Sequence, residues 1–138
     1  MRNKDSLRGQ AFLAVTFFIG GILAVAGILI AFLALSQVDA GYGVAAAAKA
    51  EAAATAGAED GLLQLDRNAA FSNTTGYSVS SASSTTATVT VTQNSPSIGL
   101  VTILSVATVS GHDKKISVVV SENASTGQTS LVSWMDIQ

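Results

Sequence analysis

The stretch that decides the fold of this chain is AFLAVTFFIGGILAVAGILIAFLAL, at residues 11–35. It lies within a longer stretch, Gly9 to Val38, that contains no charged residue. About 20 apolar residues in a helix are enough to cross a bilayer, and this stretch exceeds the hydrophobic core of an ordinary cleaved signal peptide. The remainder of a 138-residue chain is too small to bury a helix that is apolar on every face. We therefore expect residues 10–38 to occupy a membrane or the core of an assembly.

The charges on either side of this stretch predict its orientation. Three basic residues and one acidic residue precede it, and no lysine or arginine follows it until Lys49. Cytoplasmic flanks of membrane helices carry an excess of Lys and Arg. We therefore expect a cytoplasmic N-terminus, with everything after Val38 outside the membrane.

The composition excludes several classes of protein. The chain has no cysteine and one histidine, so it offers no disulfide scaffold, zinc cluster, c-type haem site, iron–sulfur centre or cysteine nucleophile. A net charge of −2 provides no basic surface for nucleic acid. No nucleophile motif, phosphate-binding loop or metal-ligand constellation occurs in the sequence, so we expect no catalysis, no cofactor and no metal ion. We expect His112, in Gly-His-Asp, to be a solvated turn residue.

The residues that follow are typical of a continued helix. Residues 44–65 are VAAAAKAEAAATAGAEDGLLQL, and alanine is the best helix former. No proline occurs before Pro96. The sequence therefore predicts one helix over residues 10–66, roughly 80 Å long at 1.5 Å per residue. We expect Gly57 and Gly61 to weaken its end.

From about Ser72 the hydrophobic period changes to two, which predicts antiparallel strands with one buried face. The third strand contains the adjacent apolar pairs Leu100-Val101 and Ile103-Leu104, so we expect it to be bulged or broken. The predicted strands are 76–81, 85–93, 98–109, 114–122 and 128–135.

A sheet of this size needs a cover for its apolar face, and the end of the long helix is the candidate. The expected contact residues are Leu62, Leu63, Leu65 and Phe71. The predicted fold class is α+β, a long N-terminal helix packed on a small antiparallel sheet. The predicted organisation is a basic leader at 1–9, the helix at 10–66 and a head domain at 67–138.

Three further features have alternative interpretations. Gly20, Gly21 and Gly27 either loosen the helix during assembly or form a close helix–helix contact. Glu59 and Asp60 are interpreted as a solvated helix end or as members of an ion pair between subunits. Two Asn-x-Ser/Thr triplets, at residues 73–75 and 123–125, match the N-glycosylation pattern, which is common by chance.

The order of these segments resembles the type IV pilins and their pilin-like relatives. The leader MRNKDSLRG ends in Gly9 and is followed by Gln10-Ala-Phe-Leu and the apolar run. The segment AEDGL at 58–62 is similar to the pattern that ends the helix in PilX-type minor pilins. The strand pair at 105–120, with its glycine turn, and the late Trp134 are similar to theirs as well.

The resemblance implies that a prepilin peptidase cuts after Gly9 and that Gln10 becomes a methylated N-terminus. It implies a membrane precursor that pilus assembly machinery transfers into an extracellular filament made of copies of itself. The residues that would pack in the filament core are Phe12, Phe17, Phe18, Ile22, Ile28 and Phe32. The expected function is a structural subunit of a type IV pilus-like filament. The alternative is a single-pass membrane-anchored surface module that binds or adheres.

The chain departs from the family at one position. Major pilins carry a glutamate five residues after the cut, where it is thought to pair with the amine of a neighbouring subunit, and this chain has Ala14 there. An ion pair at that position is impossible. The resemblance therefore implies either a minor or initiating subunit or a filament whose register is set by packing alone. Bacterial and archaeal origins both stay open.

Overall fold

The computed structural model describes residues 4–81, 85–123 and 126–137, with side chains from Phe12 onward. Within these residues the chain forms one long helix followed by five strands, which confirms the predicted α+β fold. The strands pair antiparallel in sequence order, so the sheet is a simple meander. The elements are α1 (Lys4–Arg67), β1 (Asn73–Ser80), β2 (Thr86–Gln93), β3 (Leu100–Val109), β4 (His112–Glu122) and β5 (Thr129–Ile137).

The chain divides into two compact units, Met1–Gly41 and Tyr42–Gln138. The boundary lies inside α1, whereas the sequence analysis placed the head domain at 67–138. The alanine-rich part of α1 belongs with the sheet because its small side chains are part of the sheet's hydrophobic core. We call residues 12–38 the apolar segment and Tyr42–Gln138 the head.

The head has one hydrophobic core, between α1 and one face of the sheet. Alternate residues of the three central strands β2, β3 and β4 face the helix and are almost fully buried, as expected for period-two strands. The buried apolar strand residues are Ala87, Val89, Val91, Val101, Ile103, Ala107, Ile116, Val118 and Val120.

A short connection after α1 is tied to the sheet by hydrogen bonds. The Gln93 side chain, at the end of β2, donates from Nε2 to the carbonyl oxygens of Ala69 and Phe71, each at 2.9 Å. The backbone N–H of Ala70 is bonded to the side-chain oxygen of Asn68 at 3.2 Å. These hydrogen bonds satisfy backbone polar groups just after the end of α1. They also fix the position of the segment that leads into β1.

The expectation of a bulge or break in β3 is wrong. Residues 100–109 pair with β4 in one uninterrupted register. The two apolar pairs fit because Val101 and Ile103 face the helix, whereas Leu100 and Leu104 are half-buried on the opposite face. The register shifts instead in β1, between Asn73 and Tyr77, and in the β4–β5 pair.

The hairpin between β3 and β4 also differs from expectation. Ser110 and Gly111 form its two-residue loop with φ values of 48° and 81°, the left-handed conformations that a tight hairpin turn requires. His112 pairs with Val109 and is the first residue of β4. It is exposed, as expected, but it lies on a strand rather than in the turn.

Candidate assembly surfaces and interaction sites

The apolar segment is unburied along its whole length. Its large apolar side chains are between 53% and 78% exposed. The helix is long and apolar enough to cross a membrane, and an 18-residue window within it has a mean hydropathy of 2.7. The residues expected in a filament core are all in this set: Phe12, Phe17, Phe18, Ile22, Ile28 and Phe32. This surface is available to lipid or to other protein chains.

The three glycines of the apolar segment lie in uninterrupted helix. A methyl group added at Gly20, Gly21 or Gly27 would have no neighbour within 4 Å. Both interpretations therefore stay predictions, because loosening and close packing would each develop only in an assembly.

The processing residues lie at the limit of the described chain. Gly9 and Gln10 are in the helical backbone of α1, which begins at Lys4. Their side chains, and the whole of residues 1–3, lie outside what the structure describes.

The leucine-rich end of α1 contacts the sheet through three of the four expected residues. Leu65 is 1% exposed, and Leu62 and Phe71 are partly buried against the core. Leu63 differs from the expectation, because it is 53% exposed and is not part of that core. The reason is helical geometry, since adjacent residues point about 100° apart and Leu62 and Leu63 cannot share one face.

A close helix–sheet contact is made by small residues, which the sequence pattern marks only as helix formers or breakers. A Cβ added at Gly61 would lie 2.7 Å from Ile103 Cγ2, and one added at Gly57 would lie 2.9 Å from Val89 Cγ2. The signal in the sequence is a stripe of small residues at helical spacing. Its buried members are Ala46, Ala50, Ala53, Ala54, Gly57, Ala58 and Gly61.

Below Gly57 the sheet carries a buried hydroxyl group. Ser105 is fully buried, and its Oγ has no hydrogen-bond partner in the described part of the chain. A Cβ on Gly57 would collide with this oxygen. The small serine side chain and the glycine together allow the helix backbone to lie close to β3.

Asp60 has a structural partner within the head. The Tyr77 hydroxyl on β1 donates a 2.9 Å hydrogen bond to Asp60 Oδ2 on α1. The Tyr77 ring also makes an edge-to-face contact with Phe71, with centroids 6.0 Å apart. Burial, together with the hydrogen bond and the negative charge of Asp60, raises the pKa of the Tyr77 hydroxyl above its ordinary value. This contact joins an edge strand to the helix.

We expect Tyr77→Phe to lower the free energy of unfolding of the head by about 1 kcal/mol, because it removes one hydrogen bond and leaves the ring in place. Since the pKa of Tyr77 is higher in the folded state, its contribution is complete below the ordinary tyrosine pKa of about 10 and is lost as pH rises above it. Urea unfolding at pH 7 and above pH 10 measures both effects. Tyr42→Phe, at an exposed tyrosine, is the control. An unchanged pH dependence in Tyr77→Phe would contradict the assignment.

The edge strand β5 carries further exposed apolar side chains on both of its faces, and we call them together the β5 patch. Its residues are 41–58% exposed: Leu131, Val132, Trp134, Met135 and Ile137. A groove beside it, between the end of α1 and β4–β5, is lined by Leu62, Leu63 and Leu131 with Glu59 and Asp66 at its border. The only ion pair that the described residues show joins Lys114 on β4 to Asp136 at the opposite end of β5 from this groove. An unpaired apolar edge strand is a typical place for another chain to bind.

A cleft lined by both polar and apolar residues lies at the other end of the head's helix, beside the β3–β4 hairpin. Its lining residues are Tyr42, Gly43, Ala45, Ala46, Lys49, Val109, Ser110 and His112. In the described residues, no group of three or more His, Cys, Asp or Glu side chains is placed to hold a metal ion.

The chain has a pilin-like architecture. The first part of its one long N-terminal helix is apolar, and the last part packs on an antiparallel sheet. No family model matches the chain, and no curated protein or solved structure is significantly similar to it.

Proposed function

We propose that the chain is a structural subunit of a type IV pilus-like extracellular filament. It is inserted in the cytoplasmic membrane as a precursor and is then assembled with copies of itself. The observation that carries this proposal is that no part of the apolar segment is buried within the described residues. Soluble proteins rarely expose contiguous apolar surface beyond a few hundred Å², so a second environment must cover it.

Two features favour a filament over a permanent lipid anchor. The apolar segment contains no charged residue and has Gly20 and Gly27 seven positions apart on one face, which suits packing against neighbouring helices. The head carries the β5 patch, an additional apolar surface for contact between subunits. Contacts that repeat head to tail do not close, and they generate a helical polymer.

The processing site provides the test. We expect Gly9→Leu to block cleavage after residue 9, so that the precursor accumulates in the membrane and filaments are lost. Mass spectrometry of filaments sheared from source cells should find chains that begin at Gln10. Asn3→Leu, which adds the same side chain farther from the cut, is the control and should be processed normally.

The alternative of a single-pass surface module predicts a different result. Such a module would keep residues 1–9 and would be unaffected by Gly9→Leu. Surface-exposed chains that all retain Met1 would contradict the filament proposal.

A further inference from the structure

The cleft beside the β3–β4 hairpin is lined by two segments that are distant in sequence, the part of α1 at residues 42–49 and the hairpin at residues 109–112. A methyl group added at Gly43 on α1 would lie 3.7 Å from Nε2 of His112 on β4. The imidazole is therefore held against the helix backbone, within the head. Lys49 lies six residues farther along α1 and borders the same cleft.

The cleft has the charge of an anion site. None of its lining residues is acidic, and Lys49 and His112 can both donate hydrogen bonds into it. Lys49 has no ion-pair partner within the described residues.

Two carboxylates on β4 and β5 have partners of their own. Asp113 accepts a 2.7 Å hydrogen bond from the Thr108 hydroxyl. Asp136 pairs with Lys114, which also lies in the field of Glu51. Among the residues that line the cleft, Lys49 therefore has no carboxylate partner.

Few residues separate this cleft from the apolar segment along the chain. Gly43 follows Val38 by five residues, which can span at most ~18 Å. Tyr42 is 73% exposed, and tyrosine is enriched at the boundary between the acyl chains and the headgroups. When the apolar segment crosses a bilayer, Gly43 at the border of the cleft therefore lies within that distance of the outer end of the segment.

We propose that this cleft binds the phosphate of a phospholipid headgroup in the outer leaflet, with Lys49 and His112 as the phosphate ligands and Tyr42 at the glycerol level. The inference rests on the membrane-inserted precursor of the proposed function and does not require filament formation. Lipid binding at the cleft would hold the head on the membrane surface before assembly. The head would then have to release the lipid before it could leave the membrane.

The only histidine of the chain provides a direct probe. The full chain, without a histidine tag and with ¹⁵N-labelled histidine, is placed in nanodiscs that contain a phospholipid with a nitroxide on its headgroup. We expect the imidazole signals of His112 to be broadened, and the broadening to increase with the fraction of phosphatidylglycerol. Lys49→Gln should weaken this lipid contact about fivefold, as expected for removal of one lysine at a membrane surface.

Lys115→Gln is the matched control. Lys115 is an exposed lysine on the same strand as His112, and it pairs with Val106 on the face of the sheet away from α1. It should leave the broadening unchanged. Equal effects of the two substitutions would mean a diffuse charge effect and would overturn the site, as would the absence of broadening in the wild-type chain.

Two further measurements separate the possible failures. If inorganic phosphate in detergent shifts the His112 signals with the same dependence on Lys49, the cleft is a site for free anions and the lipid assignment is overturned. Chains that do not remain with the nanodiscs would contradict the membrane stage of the proposed function itself. Chains that remain but show an unbroadened His112 signal would overturn only this inference.

Discussion

Gly57→Ala is expected to lower the free energy of unfolding of the head by about 1–3 kcal/mol, the usual cost of overpacking a core. The added Cβ would collide with Ser105 Oγ and lie 2.9 Å from Val89 Cγ2 and 3.1 Å from Ala87 Cβ. The serine hydroxyl can rotate away, but the Ala87 Cβ is fixed to the backbone of β2. The helix and the sheet must therefore separate locally.

This expectation has the opposite sign to that of helix propensity, which predicts that Gly→Ala in a helix stabilises by about 0.5–1 kcal/mol. Gly43→Ala is the control, because its new Cβ would meet only His112 atoms at 3.7 Å or more. It should follow propensity and raise stability. Urea unfolding of the full chain in detergent, followed by the fluorescence of the single tryptophan Trp134, measures both variants. Stabilisation by Gly57→Ala would show that the close helix–sheet contact is not formed.

The local elements could be predicted because local patterns encode them. The alternating residues around Val89 and Val118 specify a strand with one buried face, and the alanines after Val44 specify a helix. These two patterns are enough to predict the order of the elements and the fold class.

The helix–sheet contact could not be predicted in the same way. The hydrophobic pattern predicts a helix–sheet contact through large apolar residues, and Leu65 is indeed buried. Gly57 and Gly61 contribute to the contact in another way, because the lack of a side chain lets the helix lie close to the sheet. A glycine in a helical pattern has the same appearance whether it weakens the helix or allows a close approach. Only the position of Ser105 and Ile103 beneath it distinguishes the two.

Contacts between distant segments had no local signal either. The bond from Tyr77 to Asp60 depends on how β1 lies along α1, and the position of His112 beside Gly43 depends on the hairpin register. The uninterrupted β3 was missed for a related reason. We assumed that both apolar pairs needed one buried face, whereas Leu104 occupies the other face with partial burial.

Ile22→Arg is expected to abolish filament formation. An arginine near the centre of a membrane helix costs about 2.5–3.5 kcal/mol in insertion. Long basic side chains reach the headgroups from positions near the helix ends, but less readily from the centre. In a bundle of identical apolar helices the added charge would also have no carboxylate to pair with, because the stretch from Gly9 to Val38 contains none. Every subunit of the filament would carry this free-energy cost. Filament formation is therefore more sensitive to the substitution than insertion of the precursor into the membrane.

The measurement is the distribution of the chain between the membrane fraction and sheared filaments. Ala48→Arg is the matched control, since it places the same side chain on an exposed position of the same helix within the head. It should assemble normally, and Ile22→Leu should too. A permanent membrane anchor makes a different prediction, because an inserted Ile22→Arg chain would keep its surface function at a reduced level. Wild-type amounts of Ile22→Arg in filaments would show that this part of the apolar segment is not in the filament core, and its 55% exposure would then need another partner.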